Sequence, residues 1–70
     1  MGVFKLIQTW WYARCRRMDL DILWPECCKA APNLLMARGM FTYHAIQDPA
    51  WCALGEEEMR RIINNLEPIK

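Results

Sequence analysis

The stretch Asp48-Pro49-Ala50-Trp51-Cys52-Ala53-Leu54-Gly55-Glu56-Glu57-Glu58 constrains this chain more than any other, because it holds two helix starts and a helix stop. Asp48 suits an N-cap, Pro49 a first helical position and Gly55 the end of a short turn. Glu56, Glu57 and Glu58 then open a helix at its positive end. A chain punctuated in this way closes in short helices joined by tight turns. The stretch itself carries no catalytic apparatus.

The segments before it read as helices too. Phe4, Ile7, Trp11, Cys15 and Met18 recur in steps of three and four, with Val3, Leu6 and Trp10 widening the face, which predicts an amphipathic helix over 3–17. Asp19 and Asp21 offer caps for a second helix whose stripe is Leu20, Leu23, Trp24, Cys27, Cys28 and Ala31. Pro25 requires its regular part to begin within about a turn, and Pro32 ends it. Asn33 caps a third helix from Leu34 to about Gln47. With Leu34, Ala37, Phe41, His44 and Ala45 on one side and Met36, Met40 and Tyr43 on the next, it reads as central, and Gly39 as a point of close helix approach. A last helix, about 56–66, carries Met59, Ile62, Ile63 and Leu66 inward and the pairs Glu56–Arg60 and Glu57–Arg61 outward. No run alternates long enough for a strand. The expected fold is all-α, a small bundle of three main helices plus a short helical turn, in one domain spanning 1–70 with a helical body at 19–66.

Seventy residues lie near the lower limit for an unaided core, yet 54% are hydrophobic. Some apolar surface must stay exposed in a monomer, and a partner protein or self-association would cover it. Charge is lopsided. Residues 1–18 hold Lys5, Arg14, Arg16 and Arg17 without an acid, whereas the remainder holds five basic residues against eight acids. A basic head on an acidic body favours a protein partner or homo-oligomer over nucleic acid. No segment approaches the roughly 20 apolar residues of a membrane span. Lys5 and Gln8 interrupt the first apolar run, so it reads as no signal peptide, and a cytoplasmic location with reduced cysteines is expected.

Four cysteines and one histidine raise the question of metal. Cys27 and Cys28 are adjacent, Cys15 and Cys52 isolated, and none has the paired spacing of a zinc site; each reads as a small packing residue. No metal and no cofactor is expected. His44 and Asp48 stand one turn apart, so a carboxylate can orient the imidazole, but no activated nucleophile accompanies them. His44 reads as a packing or capping residue, and no catalytic residue is assigned.

Trp10 and Trp11 are adjacent on the first helix, so one of them must leave the shared core, and Arg14, Arg16 and Arg17 follow. Aromatic residues beside arginine make interface anchors. These five are the predicted partner-binding residues. The same helix, over 3–18, would also suit a membrane surface, with only four positive charges to hold it there.

The basic aromatic start, Asp19-Leu20-Asp21-Ile22-Leu23-Trp24-Pro25, Tyr43-His44-Ala45, Asp48-Pro49-Ala50-Trp51 and Leu54-Gly55-Glu56 together resemble small uncharacterised proteins carried by tailed phages and prophages. The likeness covers most of 19–66. It implies a compact intracellular accessory protein that binds a host or phage protein, and it carries no catalytic role to any position. The expected function is a non-enzymatic protein–protein interaction module, such as a phage accessory protein or an inhibitor of a host system. The alternative is a membrane-surface module acting through 3–18.

Overall fold

The computed structural model describes residues 2–68; Met1, Ile69 and Lys70, at the ends of the expected domain, lie outside the described residues. The fold is all-α, with no strand among the described residues. Helix α1 (Gly2–Met18) runs without a break through a π-helical stretch (Asp19–Leu23) into α2 (Trp24–Ala30). Helices α3 (Leu34–Ala45), α4 (Pro49–Cys52, a single turn) and α5 (Glu56–Asn64) follow. The expected three main helices and short turn are present, but the break expected at Asp19 is not. Proline has no N–H to donate and its ring crowds the carbonyl four residues back. A wider turn makes room, and the Trp24 N–H accordingly reaches back five residues to the Asp19 carbonyl.

The local punctuation acts as the side chains dictate. Asn33 Oδ1 accepts the Met36 N–H at 2.8 Å and Asp48 Oδ1 accepts the Ala50 N–H at 2.9 Å, each satisfying a donor at a helix start. Pro49 occupies the first turn of α4, and Gly55 takes φ +90°, which only glycine adopts freely. Helix α5 stops at Asn64, short of the expected 66, where Asn65 and Leu66 turn back onto the Ile62 and Ile63 carbonyls. Glu56 pairs with Arg60 as expected, whereas Arg61 takes Glu58 one turn back rather than Glu57.

The core lies between α2, α3, α4 and α5. Phe41 is fully buried, with Trp24 on one side (ring centroids 5.9 Å apart) and Trp51 on the other (5.4 Å), both edge-on at 89°. Cys27, Ala37, Ala45, Met59 and Ile63 complete the cluster. Each buried indole finds an acceptor: Trp24 Nε1 donates to the Glu67 carbonyl and Trp51 Nε1 to Asp19 Oδ2, both at 2.9 Å. Arg38 also holds the chain end, donating to the Leu66 carbonyl at 3.1 Å from Nε.

Three expectations about burial are overturned. The stripe on α1 does not face the core, since no residue of that helix is buried. Helix α3 is not central: Ala37, Phe41 and Ala45 are buried, while Leu35, Met36, Met40 and Tyr43 face outward, and a Cβ added at Gly39 would meet nothing within 4 Å. The four short elements fill only one side of α3, so no helix approaches that glycine. The cysteines divide as well, with Cys27 buried, Cys15 and Cys28 partly so, and Cys52 exposed.

Candidate functional site

Two surfaces carry the chemistry of this chain, and the first is α1. At about 100° per residue, Val3, Phe4, Leu6, Ile7, Trp10 and Trp11 fall within one broad arc. Of the partly buried residues of the helix, Tyr12 and Arg16 lie on the opposite side, and Cys15 lies at the edge of the arc, one turn past Trp11 toward the root of the helix. The apolar arc therefore points away from the body. Phe4 is 78% exposed, Trp10 60% and Trp11 54%.

Of the five predicted partner-binding residues, four share this free surface. Arg14 sits one turn past Trp10 with its guanidinium carbon 5.6 Å from the indole centroid, a cation–π contact. Trp11 and Arg17 are exposed. Both tryptophans lie outside the core, so the adjacent pair is not divided between core and surface as the sequence suggests. Arg16 has a different place: its Nη1 donates to the Ala50 carbonyl at 2.9 Å, bracing α1 against α4. That bond joins residues 34 apart in sequence, and spacing alone offers no signal for it.

The second surface is a junction of the π-helical stretch, α3 and the α4 cap. His44 Nε2 lies 3.6 Å from Asp19 Oδ2 and 3.8 Å from Asp48 Oδ2. Asp48 arrives as expected from its helical spacing, whereas Asp19, read from sequence as a cap, serves no helix start. It accepts the Trp51 N–H instead. The one available signal was that a buried tryptophan needs an acceptor. Burial pushes the Asp19 carboxyl above the usual carboxylate range; the Trp51 N–H opposes this, the neighbouring Asp48 adds to it, and His44 draws it back. The His44 side chain is 44% exposed, so it is no core residue and the cluster opens to solvent.

A shallow depression elsewhere, lined by Cys28, Pro32, Asn33, Leu34, Ala37 and Pro68, holds no carboxylate or imidazole. Among the described residues no helix is long and apolar enough to cross a membrane. No family model, curated protein or solved structure matches the chain.

Proposed function

We propose that this protein is a non-enzymatic protein-binding module that presents α1 as its docking helix. One observation carries the reading: a seventeen-residue helix with no buried residue holds its apolar arc away from the body. An exposed arc of that breadth costs solvation free energy in the free protein, and a partner that covers it recovers that free energy. The mode is a helix laid in an apolar groove. Arg14 and Arg17 continue the same arc at its C-terminal end, so the complementary groove carries carboxylates there. The resemblance over 19–66 adds a setting, that of a phage or prophage accessory protein acting on a protein of its host.

The placement of those arginines argues against a lipid surface. An interfacial helix keeps its cations on the polar side or flanks, whereas here two of them share the apolar arc. The test is affinity capture from the natural host beside the variant Trp10→Ala/Arg14→Glu, with sedimentation of both proteins. A partner or self-association present in the wild type and lost in the variant, at unchanged helix content, supports the reading. Flotation with anionic liposomes, abolished by deletion of residues 1–18, would replace it with the membrane reading.

A further inference from the structure

Asp19, His44 and Asp48 form a constellation that no role in the docking helix accounts for. Their ligating atoms come from three separate elements and lie within 4.8 Å of one another. Two carboxylates in so small a space repel, and a cation is the ordinary remedy. Among the described residues no Lys or Arg makes an ion pair with either aspartate; the imidazole is the neighbour they share.

The supporting shell is already built. Asp19 is held by the indole of a fully buried tryptophan, and Asp48 by its cap bond from Ala50, which ties up Oδ1 and leaves Oδ2 toward His44. Outer contacts of this kind fix metal ligands in place before the ion arrives. We infer that Asp19, His44 and Asp48 form a binding site for one divalent transition-metal ion of the Zn2+ type, with solvent completing its coordination.

The geometry suits that class. Ligands at about 2.0–2.1 Å from a tetrahedral ion are separated by about 3.4 Å. The observed 3.6 and 3.8 Å from the imidazole to the two carboxylates need to close by only a few tenths of an ångström, and the carboxylates themselves, within 4.8 Å of each other, would be drawn together by the ion. One imidazole and two carboxylates fit Zn2+ better than Ca2+, which takes six to eight oxygens in the general case. Partial exposure of His44 gives the ion a way in. The site is independent of α1, so failure of either reading leaves the other standing.

The test uses the full-length protein, treated with chelator and then titrated with Zn2+ and separately with Co2+. Calorimetry should show one ion per chain, and the melting temperature should rise with Zn2+. Affinity should fall at least about tenfold in His44→Ala and in Asp19→Asn, with helix content retained by circular dichroism. Co2+ reports the donor atoms: the spectrum should lack the thiolate charge-transfer band that ligation by Cys27, Cys28 or Cys52 would produce. Absence of one-to-one binding, undiminished affinity in His44→Ala, or a thiolate band would each overturn the assignment. Should Asp19→Asn unfold, His44→Ala decides alone, since its side chain lies outside the core.

Discussion

Trp51 and Asp19 are joined by a 2.9 Å hydrogen bond from a fully buried indole to a partly buried carboxylate. The bond connects the aromatic core to the junction of the π-helical stretch, α3 and α4. Trp51→Phe keeps an aromatic ring against Phe41 but deletes the donor and part of the buried surface. Chemical denaturation should show a loss of about 2 kcal/mol. A loss below about 0.5 kcal/mol would mean that Asp19 and Trp51 are not joined in solution.

Helix α1 should be nearly silent in stability measurements, except at its root. Phe4→Ser and Ile7→Ser remove exposed side chains and should stay within about 0.5 kcal/mol of the wild type at dilute concentration. Arg16→Ala deletes the brace to the Ala50 carbonyl and should cost about 1 kcal/mol. If Phe4→Ser proves the more damaging, the arc packs against something in the monomer.

The two described interior glycines should respond to alanine with opposite signs. Gly39 lies on the exposed side of α3 with open space where its Cβ would be, so Gly39→Ala should stabilise by about 0.5–1 kcal/mol. Gly55 holds φ +90°, a conformation strained for alanine, so Gly55→Ala should destabilise by about 1–2 kcal/mol. Paired thermal melts read both.

Cysteine reactivity should separate by burial. Cys52 is exposed and should be alkylated in the native protein, whereas Cys27 is buried and should react only on unfolding. Burial, with Cys28 and Glu26 adding, also pushes the Cys27 thiol above its ordinary 9.0. A raised thiol value means that the fold favours the neutral form. Its contribution is therefore complete below 9.0 and lost as pH rises through the folded value. The stability gap between wild type and Cys27→Ala should narrow well above pH 9.0, as urea titrations at two pH values would show.

The parts of this fold legible in the sequence are those that local chemistry decides. Asn33, Asp48, Pro49 and Gly55 each act within a few residues, so their identities announce the turns they make. The apolar stripe of α5 was legible too, because Met59 and Ile63 do meet the core. The stripe of α1 misled: periodicity shows that a helix has a face, and whether anything covers it depends on the rest of the chain. The structure places Trp10, Trp11 and Arg14 on the exposed side of α1, whereas the bond from Arg16 to the Ala50 carbonyl left no local signal, because its acceptor lies far along the sequence. The cluster of Asp19, His44 and Asp48 was half visible through the helical spacing of His44 and Asp48. Its third member depends on how the helices fold together.

The widened turn at Asp19–Leu23 decides which way the exposed apolar arc of α1 faces. It takes up one residue more than an uninterrupted α-helix would, so the outer end is rotated by about 100° about the common axis. Loss of a single residue from this stretch would swing Trp10 and Trp11 a quarter-turn round the rod without touching either side chain. It would also forfeit the slack that Pro25 requires. A one-residue deletion here is thus a change of bearing rather than a trimming of length, and it would disturb the contacts that Asp19 and Arg16 make with α4.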